Sequence, residues 1–141
     1  MSLFGYLRGF LGSTRPRLNE MTRSYLQTAL WSSRDDEDGS PLDRDYSESD
    51  FSADAISAAD RDCTKFAEDN SELYSQIGFD SEDAGRLFWH ARTRSGITFM
   101  DDFKTNTVED QIAKRLQANA QKYGEAHVMP NDEGELDIFT G

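Results

Sequence analysis

Nine carboxylates fall within twenty residues: Asp35, Asp36, Glu37, Asp38, Asp43, Asp45, Glu48, Asp50 and Asp54. Side chains of that type and density can ligate a divalent cation, repel a phosphate backbone or enter a basic groove. The calcium pattern fails on its own terms. With Gly39 at the sharp-turn position of an EF-hand loop, the first ligand would be the cation Arg34 and the twelfth would be Asp45 in place of a bidentate Glu. Positive charge gathers farther on, where Arg86, Trp89, Arg92 and Arg94 bring basic and aromatic side chains together and Lys114, Arg115 and Lys122 follow. Phosphate contacts and base stacking use that combination, but in a chain of net −12 the preferred reading is internal, with these cations neutralising the acidic block or flanking the core.

The remaining reactive types form no recognisable machinery. Cys63 is the single cysteine, and neither His90 nor His127 neighbours a Ser or Cys in a nucleophile motif. The ten glycines are scattered, so no phosphate-cradling loop follows a predicted strand. Asp101 and Asp102 are a carboxylate pair without the further ligands a metal needs. The expectation is a protein that is not an enzyme, with no catalytic residues, no metal and no cofactor.

Charge along the chain is uneven. Of 141 residues, 27 are acidic and 15 basic, a net charge of −12. Residues 35–83 carry seventeen acids against three bases, a balance of −14, while residues 1–34 and 84–124 are net positive. A block of that sign repels nucleic acid and attracts basic clefts, which makes direct nucleic-acid binding by this face a poor reading. The plain alternative is a solubilising coat. A lone cysteine indicates no oxidising compartment, and no run of about 18 apolar residues marks a membrane span. A cytoplasmic setting is the expectation.

The length fits one domain. Residues 1–17 read as a basic amphipathic N-terminal extension, with Leu3, Phe4, Leu7, Phe10 and Leu11 at helical spacing and Pro16 near its end. Residues 18–141 then form a single acidic α+β domain. Asn19 can cap a helix running to Trp31, and residues 32–50 have turn chemistry and no period, an acidic loop. The firmest pattern starts at Ser52. Ile56, Ala59, Cys63, Phe66, Asn70, Leu73 and Ile77 alternate steps of three and four, which predicts one long helix near 52–77, stopped by Gly78. Cys63 on that seam reads as core, and Asn70 as a register-setting polar residue. Ser81 can cap a third helix with Ala84, Leu87, Phe88 and Ala91 inward. Ile97–Met100 alternate like a strand. Thr107 and Asp110 match a capping box ahead of a fourth helix, 107–123, with Val108, Ile112, Leu116 and Tyr123 inward and Gly124 ending it. Residues 126–129 and 136–139 flank a turn, so C-terminal strands should form a small antiparallel sheet.

The segment Ser24–Ser33, the acid-Gly turn through Gly39, Leu42, Asp45 and Tyr46, Ala59–Phe66 with Asp62 and Cys63, and then Phe88, Trp89, Arg92, Gly96, Phe99 and Asp101 resemble a family of small acidic proteins of unknown function encoded by bacteriophages, plasmids and prophages. The family pattern has a second Trp where this chain has Met100, and its Gly-rich turn is thinned here. The resemblance implies a mobile-element setting inside a bacterial host and no known activity. Two functional expectations follow. In the first, the nine carboxylates bind a host protein with a basic groove, such as a defence nuclease, by nucleic-acid mimicry. In the second, Arg86, Trp89, Arg92, Arg94, Lys114, Arg115 and Lys122 contact nucleic acid directly.

Overall fold

The computed structural model describes residues 18–35 and 37–141. The extension assigned to residues 1–17, and Asp36 of the acidic block, lie outside the described residues. The chain is α+β, with helices α1 (Glu20–Ser32), α2 (Leu42–Asp45), α3 (Ala53–Gln76), α4 (Ser81–Thr93) and α5 (Val108–Gln121) followed by strands β1 (Ala126–Pro130) and β2 (Leu136–Thr140). The two strands form one antiparallel ribbon in which Val128 faces Ile138. No helix among the described residues is long and apolar enough to cross a membrane.

Local chemistry sets most element boundaries. Asn19 begins α1 by accepting the Thr22 amide at 2.8 Å, and Ser52 begins α3 by accepting the Ala55 amide at 3.1 Å, each satisfying one of the orphan donors of a first turn. α3 is about 36 Å long at 1.5 Å per residue. It ends where Gly78 turns at φ +87°, a conformation costly for any residue with a Cβ. α4 starts one residue earlier than expected at its cap. Asp80, not Ser81, accepts the Asp83 amide at 2.8 Å, and Asp83 returns the bond to the Asp80 amide at 3.1 Å.

The long helix buries Ala55, Ala59, Cys63, Phe66, Asn70 and Tyr74, so the predicted stripe holds in its middle and slips by one residue at both ends, where Ile56 and Leu73 are only half-buried. Six steps from 55 to 77 average about 3.7 residues, close to the period of a straight helix, whereas the predicted steps averaged about 3.5, the period of a supercoil. Asn70 is a buried polar link between α3 and α5. Its amide donates to the Phe66 carbonyl at 3.0 Å and its oxygen accepts from Asn119 of α5 at 2.8 Å.

Three expectations are corrected. Residues 97–100 form a turn and not a strand: Asp101 accepts from the Thr98 amide at 3.1 Å and hydroxyl at 2.7 Å while Phe99 drops into the core. The period-two pattern of Ile97 and Phe99 had no neighbouring strand to pair with. The acidic segment 32–50 is not structureless, since α2 and a 3-10 turn at Glu48–Asp50 lie within it, both too short to show a period. Val108, placed inward, is exposed at the first position of α5, and Asp110 is the buried residue of that turn. Thr107 caps α5 as expected, but the Asp110 carboxylate reaches back to the Asn106 amide at 3.0 Å.

The core lies between α1, α3 and α4 and is aromatic. Phe66 stacks on Phe88 at 4.5 Å, and Tyr25 meets the Trp89 ring edge-on at 5.2 Å. α1 and α4 come together at Gly85, where an added Cβ would collide with the backbone carbonyl of Met21 and press on Ser24. Elsewhere in a helix, Gly→Ala gains about 1 kcal/mol of propensity. Here we expect Gly85→Ala to lose about 1–3 kcal/mol in urea unfolding because the two backbones must separate; a variant as stable as the parent would mean that this approach does not hold the helices.

Candidate functional site

The acidic loop is fastened at both ends. Leu42 and Phe51 are buried, the Leu42 amide donates to the carbonyl of Ser33 at the end of α1 at 3.0 Å, and the Ser52 amide donates to the Leu136 carbonyl of β2 at 2.9 Å. Several candidate carboxylates are occupied in building this loop. Asp35 accepts the Glu37 amide at 2.8 Å, Asp38 accepts the Ser40 amide and hydroxyl, and Asp50 accepts the Ser47 amide at 2.7 Å. The Ser40 hydroxyl and amide hold the Asp38 carboxyl below its ordinary range. Arg44 lies 3.1 Å from Asp45 and 3.8 Å from Asp38, and Glu48 accepts from Gln27 at 3.0 Å. Glu37, Asp43 and Asp54 are exposed, and no described residue bonds their carboxylates.

The basic and aromatic residues do not form one surface. Arg92 is buried and uses four of its five N–H donors: Nη1 donates to Asp62 at 2.8 Å and to the Tyr25 hydroxyl at 3.0 Å, Nη2 to the Tyr123 carbonyl at 2.8 Å, and Nε to the Gly124 carbonyl at 3.1 Å. The rings of Phe88 and Tyr123 cover the guanidinium. Trp89 is likewise fully buried, so no base can stack on it in this conformation. Arg86 is half-buried beside Asp83; Arg94, Lys114, Arg115 and Lys122 are exposed, with Arg94 at 3.5 Å from Glu125 and Lys114 at 3.1 Å from Asp110. The segment thus separates into an internal cation with its aromatic wall and a scatter of surface charges. The partner of Arg92 lies thirty residues away, a separation that no local spacing exposes.

Burial, with Asp62 adding to it, pushes the Tyr25 hydroxyl above its ordinary range against the pull of Arg92, so Tyr25 stays protonated as a bonding partner. Burial does the same to the Cys63 thiol, which removes it as a nucleophile near neutral pH. His90 is buried beside the Ser95 hydroxyl at 2.8 Å, and its pKa is lowered first by burial and then by Arg86. Among the described residues, no three His, Cys, Asp or Glu side chains gather as a metal site.

The ribbon forms the last part of the region. Its turn closes with the Gly134 amide on the Asn131 carbonyl at 3.2 Å and the Asn131 amide on the Glu135 carbonyl at 2.8 Å, a type I turn with a bulge at Gly134, φ +78°. That register directs the backbone groups of His127 and Met129 toward β2 and those of Ala126 and Val128 away from it. Two clefts border this outward edge. One, of about 350 Å³, is lined by Ser32, Arg34, Trp89, Thr93, Ser95 and Val128 among others. The second, of about 290 Å³, shares Arg34, Val128 and Met129 and adds Asp35, Glu37 and Asp132. Sequence reasoning placed the strands and missed the edge, because its position depends on where α1 and α4 end in space.

No family model, no curated protein and no solved structure matches the chain.

Two outcomes are expected. Arg92→Lys retains charge but not the planar set of donors, so it should lose about 3–5 kcal/mol of stability, the cost of leaving buried partners unpaired; an unchanged urea midpoint would contradict the bonding described. For His90, the folded pKa lies below the unfolded one, so the unfolded chain binds the extra proton and stability falls as pH drops through the ordinary imidazole range near 6.5. In His90→Asn that pH dependence should flatten between about pH 7.5 and 5.5, read as urea midpoints at each pH; an equal slope in both proteins would assign the effect elsewhere.

Proposed function

We propose that the chain is a stoichiometric accessory protein of a phage or other mobile element, acting by binding and not by catalysis. Its acidic loop enters a basic groove of a protein in the bacterial cytoplasm, with a groove that otherwise takes nucleic acid, as in a defence nuclease, fitting best. The observation that carries this reading is the anchoring of the loop through Leu42 and Phe51, because carboxylates on a fastened loop keep a fixed order and spacing, as a charge-patterned ligand must. A merely hydrating coat needs no such anchors. Glu37, Asp43 and Asp54 are the strongest contact candidates, since they are exposed and no described residue bonds their carboxylates. Asp45 and Glu48 sit beside them with exposed positions, whereas Asp35, Asp38 and Asp50 build the loop on which the others stand.

The test is capture from bacterial lysate on the immobilised chain, followed by elution with duplex DNA. Asp43→Asn, Glu48→Gln and Asp54→Asn together should reduce the captured protein about tenfold, and salt near 0.5 M should do the same to the parent, since screening at that strength leaves little attraction beyond a few ångströms. Capture that survives neutralisation, or that DNA does not displace, would reject the reading.

A further inference from the structure

Two polar features beside β1 lack partners. Among the described residues, Trp89 Nε1 is the one buried side-chain nitrogen or oxygen with no hydrogen bond. Buried donors are almost always satisfied, and an exception calls for an acceptor. Trp89 also lines the larger of the two clefts. The second feature is the outward edge of β1: the ribbon register turns the Val128 N–H and C=O away from β2, and no described residue bonds them. The edge of β2, in contrast, is covered at Leu136 by Phe51 and Ser52.

We propose that this edge is a docking strand for an extended, basic peptide segment of a partner protein, with the peptide backbone pairing at Val128 and running past the wall that Trp89 contributes to the larger cleft. The two clefts run along the same strand and meet at Arg34, Val128 and Met129, so the space beside it is elongated. Outward strand groups recur every second residue, about 7 Å apart, and another extended chain is the ligand whose donors and acceptors recur at that interval. The Val128 side chain is in the core while those of the flanking His127 and Met129 are exposed, so the strand presents its outward backbone groups beside the clefts. Charge selects the occupant. The smaller cleft presents Asp35, Glu37 and Asp132 against the single cation Arg34, which is already engaged with the Gly39 carbonyl at 3.2 Å. A Lys or Arg side chain on the peptide would sit there. Serine and threonine hydroxyls line the larger cleft around Trp89, leaving room for a small or polar side chain at the other end.

This surface shares Asp35 and Glu37 with the acidic loop but none of Asp43, Glu48 and Asp54, which the capture experiment neutralises, so the two tests can fail separately. The test uses the full chain, labelled with ¹⁵N, and a blocked peptide of alternating Arg and Val as probe. Saturable shifts of the Val128 amide and the Trp89 indole N–H are expected at peptide concentrations up to about 1 mM, together with about tenfold slower exchange of the Val128 amide. The same peptide with alternate backbone nitrogens methylated should not bind, nor should one with Glu in place of Arg. The proposal is overturned if neither resonance responds, if the methylated peptide binds equally, or if the Val128 amide is already protected in the peptide-free chain. Protection that is independent of protein concentration would assign the edge to the chain's own residues; protection that grows with concentration would assign it to a second copy.

Discussion

The interaction on which the rest of the molecule depends is the buried guanidinium of Arg92. Through Tyr25, Asp62, Tyr123 and Gly124 it joins α1, α3, α4 and the segment leading into β1, four parts of the chain that share no local pairing. Taking that cation out of water costs several kcal/mol, and the pair with Asp62 alone does not guarantee a net gain. What the arrangement provides is geometric specificity. A planar set of donors is satisfied when a carboxylate, a phenol and two consecutive carbonyls arrive together, so an alternative docking of the ribbon leaves donors buried and unbonded. The position of β1, and with it the clefts along its outer edge, follows from this one side chain.

The helices were largely legible and the centre was not. Period and caps placed α1, α3, α4 and α5 to within a residue or two, because the information is local: Asn19, Ser52 and Thr107 bond amides three residues on. The hairpin was legible for the same reason. What depends on distant partners could not be read. An internal use for the cations beside Trp89 was legible from the net charge, and Arg92 takes it, but only the tertiary fold identifies Asp62 and Tyr25 as its partners. The false strand at 97–100 shows the converse error, since an alternating pattern is required for a half-buried strand but is not enough without a second strand.

The residues on which the expectation of a family resemblance rests, an expectation no match supports, are mostly residues of this interior. Tyr25, Asp62 and Arg92 bond one another, Phe88, Trp89 and Phe99 fill the aromatic core, and Asp101 closes the turn that follows α4. A resemblance with that content speaks to how such a chain folds, and it is silent on what its surface meets. The acidic block likewise divides by role. Asp38, Asp50, Asp80 and Asp83 bond backbone amides at turns and helix starts, where a negative charge also faces the positive end of the helix dipole at α4. Part of the −14 between residues 35 and 83 is therefore the ordinary chemistry of ending loops and beginning helices.

The carboxylates left over create a field, and a field alone is a poor instrument of selection. Between exposed charges it fades over about 8 Å at physiological salt and distinguishes sign far better than sequence. Backbone pairing at a strand edge has the opposite character, with a reach of one hydrogen bond and a register fixed to the residue. In this molecule the two lie side by side, since Asp35 and Glu37 of the acidic loop line the same cleft as Val128 of β1. On the two proposals, attraction of a basic partner by the loop would raise the encounter rate and pairing along the edge would decide which segment stays. The two features would thus differ in reach, and Arg34, bonded to Gly39 of the loop while lining both clefts, is where they meet.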